Sequence, residues 1–304
     1  MLGPLLCVLY TAKLFHIVAH HRLWLHMYAD DCQVYLSTSA KDAVTAVDHL
    51  SICVTDISDW MTASRLRLNP TKTQVMWLGS SQQLDKIAIR ELPLLSTHVT
   101  VVDTARDLGV VLDRQLSLDT RVTAVCRSDY YQLRQLRPIT RSLSVEAAKS
   151  LVQAFISSRL DYCNAILYGL PDKLMRRLQS VQNAAARLIT GASRRDHITP
   201  ILRQLHWLPV RRRVDFKIAV LVFQCLTGQA PGYLAEDCQL VADVSVRRLR
   251  SADTATCVTR RTSNIFGDRC FAAAGPRLWN SLPINLKTMS KSGTIQAFIK
   301  DIFV

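Results

Sequence analysis

The sequence predicts an α+β fold in which a small layer of β-hairpin plus helix is followed by a mainly α-helical region. Residues Leu23 to Leu36 alternate with period two on both sides of a short acidic turn. Directly after them, apolar residues step by four and three along one stripe. From about Ser117 onward the helical spacing takes over almost completely.

In the hairpin, Leu23, Leu25 and Met27 point to one face and Trp24, His26 and Tyr28 to the other. After Ala29-Asp30-Asp31 the alternation resumes with Val34 and Leu36 against Gln33 and Tyr35. Ala43, Val47, Leu50, Val54, Ile57 and Met61 then form the apolar stripe of a long helix, with Ser39 available as its N-cap. Leu66 to Leu68 and Val75 to Leu78 read as short strands around the Asn69-Pro70-Thr71 turn, and Leu108 to Asp113 as another strand.

The helices that follow are read the same way. Val122, Val125, Tyr130, Leu133 and Leu136 mark one before Pro138. Leu151, Phe155 and Leu160 mark a second behind Ser144. Leu174, Leu178, Val181, Ala185 and Leu188 mark a third, closed by Gly191. A fourth runs between Pro209 and Gly228 with Val214, Ile218, Leu221 and Cys225 on its apolar face. Beyond Leu234 the pattern weakens around the pairs Arg247-Arg248 and Arg260-Arg261.

Composition narrows the class. The 304 residues carry 38 Lys+Arg against 24 Asp+Glu, a net charge of +14, which argues for a polyanionic partner. With 49% hydrophobic residues and only 10 Gly and 10 Pro, the chain is neither collagen-like nor low-complexity nor mostly disordered. Nine cysteines, scattered singly with no C-x-x-C pair, indicate neither a disulfide framework nor a zinc ribbon and read as reduced thiols of an intracellular, cytoplasmic or nuclear protein. The apolar start of the chain lacks a basic leader and contains Pro4, so it does not read as a signal peptide. No run approaches the ~18 to 20 apolar residues that span a bilayer, and no membrane partner is expected.

The sharpest chemical feature is Tyr28-Ala29-Asp30-Asp31 at the hairpin tip. Two adjacent carboxylates on a solvent-facing turn suit a divalent cation such as Mg²⁺, which takes one or two carboxylates together with water and substrate phosphates. From the tetrapeptide alone, an ordinary Asp-Asp turn fits equally. Between Lys173 and Arg213 there are ten basic residues, Lys173, Arg176, Arg177, Arg187, Arg194, Arg195, Arg203, Arg211, Arg212 and Arg213, against Asp196 alone. That imbalance fits a surface for phosphate better than a mixed solvated face. The histidines His16, His20, His21 and His26 have no Cys or acidic pair to complete a zinc shell, and Trp207, Trp279 and Phe271 read as core anchors rather than base-stacking platforms.

In these blocks the sequence resembles the reverse transcriptase of LINE-type non-LTR retrotransposons of the Jockey-like group. Leu2-Gly-Pro-Leu-Leu6 is similar to the end of motif B, Tyr28-Ala29-Asp30-Asp31 to motif C, Trp60-Met61 with Leu68 to Thr73 to motif D, and Leu108 to Asp113 to motif E. Ser158 to Asn164, Leu178 to Arg187, His206 to Pro209 and Pro276 to Pro283 resemble blocks of the thumb and C-terminal region. The resemblance implies a partial polymerase palm over 1–116, a helical thumb over 117–205 and a helical and irregular region over 206–304.

It also implies roles. Asp30 and Asp31 would be catalytic and metal-binding carboxylates for Mg²⁺ or Mn²⁺, and Lys72 would neutralise the pyrophosphate leaving group. Tyr28, Ala29, Leu108 and Gly109 would handle nucleotide and primer. Lys173, Arg176, Arg177, Arg187, Arg194, Arg195, Arg211, Arg212 and Arg213 would track the backbone of an RNA template and DNA primer, with dNTP as substrate. The resemblance begins inside motif B, and the motif A aspartate and fingers have no counterpart, so a truncated remnant that does not polymerise unaided is expected. The alternative is a non-catalytic basic nucleic-acid-binding protein, in which binding falls with salt but survives loss of Asp30.

Overall fold

The computed structural model describes residues 2–69, 71–95, 97–244 and 255–287. The chain divides at Ser117/Leu118 into two compact units. Pro70 of the predicted turn and the Arg247-Arg248 pair lie outside the described residues. Charge separates with the division. The first unit carries 10 Lys+Arg against 11 Asp+Glu and the second 28 against 13, so net charges of −1 and +15 make up the total of +14.

The first unit opens with helices α1 (Leu2–Thr11) and α2 (Lys13–His20), which the alternation argument did not resolve because α1 has no polar face to reveal its period. Strands β1 (Trp24–Tyr28) and β2 (Asp31–Tyr35) form the expected hairpin in the register Trp24↔Tyr35 to Tyr28↔Asp31. Helix α3 (Ala43–Ala63) follows. The predicted cap is corrected: Ser39 precedes an intervening 3-10 turn, Ala40–Asp42, and its Oγ donates to Asp42 Oδ2 at 2.6 Å, leaving α3 without a side-chain cap. A cap contributes about 1 kcal/mol, whereas each fully buried aliphatic side chain contributes roughly 1.5–3 kcal/mol, so packing decides the helix.

That packing is two-sided. One flank of α3 buries Cys53 and Ile57 with Leu14 and Val18 of α2 and with Leu23, under the hairpin's inner residues Leu25, Met27, Val34 and Leu36. The other buries Val47 against Leu92, Leu94 and Val99. After a single helical turn α4 (Ser81–Leu84), those last residues lie on a second hairpin, β3 (Glu91–Leu94) with β4 (Thr97–Thr100), and a third, β5 (Thr104–Asp107) with β6 (Val110–Asp113), completes the unit. The predicted strands at 66–68 and 75–78 do not form. Only Val75 pairs, in an isolated parallel bridge to Val101. The predicted strand from Leu108 begins at Val110, because Leu108 and Gly109 form the β5–β6 turn.

The second unit is helical: α5 (Asp119–Ile139), α6 (Val145–Val152), a π turn (Gln153–Ser157), α7 (Ser158–Asp161), α8 (Asp172–Thr190), α9 (Ile198–Gln204) and α10 (Val210–Leu226), then the shorter α11 (Gly232–Ala235), α12 (Val241–Val244), α13 (Ile265–Arg269), α14 (Phe271–Ser281) and α15 (Ile284–Lys287). Ser144 caps α6 by accepting from the Ala147 N–H at 3.3 Å, and Gly191, at φ 70°, closes α8 with its N–H on the Arg187 carbonyl at 2.9 Å.

Three stripes are redrawn. In α5 Tyr130 is exposed and Asp129 takes the buried position. In the second helix the π turn adds a residue to one turn, so Ile156 is buried and Phe155 is exposed. Helix α10 has no single apolar face: Val214, Ile218, Ala219, Val222, Phe223 and Cys225 are all buried, between α8 on one side and α14 on the other. Gly275 of α14 permits that second contact, since a Cβ there would come within 3.0 Å of Val222 Cγ2. Between α8 and the start of α10, Gln182 Nε2 donates to the Leu208 carbonyl and the Val210 N–H to Gln179 Oε1, each at 2.8 Å. Trp279 is buried and donates Nε1–H to the Ala255 carbonyl at 2.9 Å, as a core anchor does.

Candidate active site and nucleic-acid interface

The hairpin places the acidic pair at its tip. Ala29 and Asp30 form the two-residue connection and Asp31 opens β2. Ala29 has φ 56°, a left-handed conformation that costs a non-glycine residue roughly 1–2 kcal/mol. Both carboxylates are exposed and, among the described residues, neither forms an ion pair or a side-chain hydrogen bond. Their joint field reaches Cys32, whose thiol is pushed up by partial desolvation and then by Asp31, Asp30 and Cys7. An uncompensated pair of hard oxygen donors fits the carboxylate share of a Mg²⁺ or Mn²⁺ site. Among the described residues, no group of three His, Cys, Asp or Glu side chains is arranged to hold a metal, the histidines near the hairpin included.

Tyr28 stands beside the pair on the outer face, opposite Asp31 in the register. Leu108 and Gly109 form the tip of the β5–β6 hairpin with φ 43° and 80°, a two-residue turn of left-handed residues. The structure brings this tip to the acidic hairpin: Gln33 Nε2 of β2 donates to Asp107 Oδ1, the residue before the turn, at 2.5 Å. Nothing in the local pattern of Gln33 signals that bond. Lys72 is not gathered in. It follows the Asn69 turn, where its N–H donates to the Asn69 carbonyl at 3.2 Å, and among the described residues no hydrogen bond or ion pair joins it to Asp30 or Asp31.

The basic residues divide into two kinds. Arg213 is only 14% exposed; it grips both oxygens of Asp161 at 3.0 and 2.9 Å, donates to the Leu208 carbonyl at 3.0 Å, and lies 5.8 Å from the centre of the Trp207 ring. Arg177 pairs with Asp119 at 3.0 Å, Arg211 with Asp172, and Arg212 with Asp215 at 3.7 Å. Arg187 donates to the Ser193 and Asp196 carbonyls, and Arg176 to the Asp172 carbonyl. The count of ten basic residues to one acidic therefore overstated the free charge, because the partners Asp119, Asp161 and Asp172 lie outside that window and Asp215 just beyond it. Lys173, Arg194, Arg195 and Arg203 are exposed, with no side-chain ion pair or hydrogen bond among the described residues.

Sequence reasoning also missed two buried charges. Arg121 donates to the Tyr162 carbonyl from an interior position that lowers its pKa. Asp129 is fully buried with both carboxylate oxygens unpartnered, and burial, opposed by Arg159, pushes it up to about 7. A polar residue one position from an apolar stripe was the only available signal for either.

The reverse transcriptase (RNA-dependent DNA polymerase) family profile matches residues 1–112, the unit that holds the acidic hairpin and the Leu108-Gly109 turn. Residues 1–112 are thus similar to reverse transcriptases. Two curated proteins of Drosophila melanogaster are similar over longer spans. The probable RNA-directed DNA polymerase from transposon X-element is 27% identical over 199 residues, covering 63% of this chain and 21% of the relative. The one from transposon BS is 25% identical over 226 residues, covering 71% and 24%. Both agree with a reverse transcriptase of the LINE-type non-LTR class, and the chain spans about a quarter of their length or less. No solved structure matches the chain. Reverse transcriptases as a family use divalent metals and hold an RNA template with a primer. Among the described residues, no helix is long and apolar enough to cross a membrane.

Proposed function

We propose that this chain is the nucleic-acid-holding half of an RNA-directed DNA polymerase site, in which Asp30 and Asp31 hold Mg²⁺ or Mn²⁺ and the basic helical unit holds the template and primer. The observation that carries this is the uncompensated Asp30-Asp31 pair on a hairpin inside the segment that matches the reverse transcriptase family. The metals supply activation of the primer 3′ hydroxyl and stabilisation of the leaving pyrophosphate. Asp30 and Asp31 contribute oxygen ligands, Tyr28 and the Leu108-Gly109 turn border the place of the primer end and incoming dNTP, and Lys72 is the cation assigned to the leaving pyrophosphate.

Two-metal transfer needs more carboxylate than this pair supplies, and no third group completes it among the described residues. The chain alone is therefore expected to bind a template and primer without extending it. The net charge of +15 on the second unit favours this binding-only reading of the isolated chain.

Primer extension on an RNA template with a DNA primer, in Mg²⁺ or Mn²⁺, separates the outcomes when run beside Asp30→Ala and a salt titration of binding. Extension that disappears in the variant makes the chain a self-sufficient polymerase. Salt-sensitive binding without extension, unchanged in the variant, leaves a nucleic-acid-holding protein. No binding at low salt refutes both readings.

A further inference from the structure

The connection between α8 and α9 is a built turn. Ser193, Arg194, Arg195 and Asp196 form a β-turn closed by the Asp196 N–H on the Ser193 carbonyl at 3.2 Å, with the two arginines at its corner positions. Side-chain bonds brace it: the Ser193 N–H donates to Asp196 Oδ2 at 2.6 Å and the Arg195 N–H to Ser193 Oγ at 3.3 Å. The half-buried Arg187, one turn from the end of α8, bridges both ends of the turn, with Nε on the Ser193 carbonyl at 3.1 Å and Nη2 on the Asp196 carbonyl at 3.3 Å. The flanking segments are rooted in a small core of Ala186, Ile201 and Leu202 with Ala192, Ile198 and Trp207 packed against it. Arg194 and Arg195 are left exposed, and among the described residues their guanidinium groups have no partner.

Asp196, the acidic neighbour that would otherwise neutralise them, is spent on the backbone of the turn itself. Two adjacent cations on a rigid frame bind with less ordering cost than cations on a loose loop, and a guanidinium fork matches phosphate oxygens. Resting on the nucleic-acid-holding function proposed above, we propose that the Arg194-Arg195 turn is a preformed clamp for successive phosphates of one nucleic-acid strand, and that Arg187 is a positioning residue rather than a contact.

The test is fluorescence anisotropy of a labelled RNA–DNA hybrid against KCl concentration, using the full chain. Arg194→Ala/Arg195→Ala is expected to lower the slope of log affinity against log salt by about two and to weaken binding about tenfold or more. Arg127→Ala/Arg134→Ala, an equal charge loss on the exposed side of α5, is expected to change it far less. Arg187→Lys keeps the charge but loses the rigid planar fork whose Nε and Nη2 reach the two carbonyls separately, so binding should weaken while the salt slope stays near that of the unsubstituted chain. Equal losses in the two double variants, or full affinity in Arg187→Lys, overturn the clamp and leave diffuse attraction. A parent chain that does not bind the hybrid refutes the nucleic-acid function and the clamp together.

Discussion

Gln33 Nε2 donates to Asp107 Oδ1 at 2.5 Å and so ties the hairpin bearing Asp30 and Asp31 to the hairpin turned at Leu108-Gly109. The two residues are 74 positions apart, and among the described residues each belongs to a two-stranded ladder with no other strand paired to it. A charge-assisted bond at an exposed site contributes about 0.5–1.5 kcal/mol, less than a buried one. That is small for the fold and large for the alignment of two hairpin tips. Gln33→Ala should cost about 1 kcal/mol or less in urea unfolding, yet speed amide hydrogen exchange at Val110 to Asp113. Unchanged exchange there would mean that the hairpins are aligned by other contacts.

Arg213 illustrates a basic residue whose work is internal. Breaking a buried ion pair costs about 3–5 kcal/mol, discounted here to roughly 2 because Asp161 keeps 40% of its side-chain exposure. Arg213→Ala should therefore lower stability by about 2 kcal/mol while leaving the salt slope of nucleic-acid binding almost intact. Arg213→Lys should restore little, since a single ammonium nitrogen lacks the planar fork that serves Asp161 from Nη1 and the Leu208 carbonyl from Nε. A salt slope reduced by a full unit, with unchanged stability, would reassign Arg213 to the binding surface.

These contrasts show what the sequence made legible. The β1–β2 hairpin and α3 could be read because each has one clear core face, so Leu25, Met27 and Val34 alternate and Val47 and Ile57 keep helical spacing. The β3–β4 hairpin could not, since only Leu92, Leu94 and Val99 are buried and Pro93 stands between two of them. Phe155 falls outside the core because a π turn changes the period inside one helix, and α10, legible as a helix between Pro209 and Gly228, shows no single apolar face because burial on most of its faces erases the stripe. The acidic pair was readable as a local word. Its link to Asp107, and the aspartates that neutralise Arg177, Arg211 and Arg213, depend on contacts made at long range.

The uncompensated acidic pair makes a prediction independent of polymerase activity. Paramagnetic Mn²⁺, titrated into the full chain, should broaden the amide resonances of Tyr28 to Cys32 before any others in the first unit. Asp30→Asn/Asp31→Asn should abolish that selectivity, because the neutral amides no longer supply anionic ligands. Broadening centred elsewhere, or unaffected by the double variant, would remove these carboxylates from the candidate metal site.

Asp129 makes the most direct pH prediction. Its carboxyl is fully buried, its two oxygens have no partner, and its pKa is raised to about 7 against an ordinary carboxylate value. A carboxyl with a raised folded-state pKa binds its proton more tightly in the native than in the unfolded chain. The native state is thus favoured below the unfolded value of about 3.9 and loses that advantage as pH climbs toward 7. Across that window the slope can approach 1.4 kcal/mol per pH unit, for a total of a few kcal/mol, before the loss levels off above the folded pKa. Asp129→Asn, which stays neutral throughout, should flatten the pH dependence of urea unfolding between pH 4 and 7 and be more stable than the parent at pH 8. The comparison at pH 8 decides the matter. A parent chain as stable there as at pH 5, with no gain from Asn, would mean that Asp129 finds compensation for its charge when it ionises, and Arg159, the one cation that offsets its shift, is the group that would have to move to provide it.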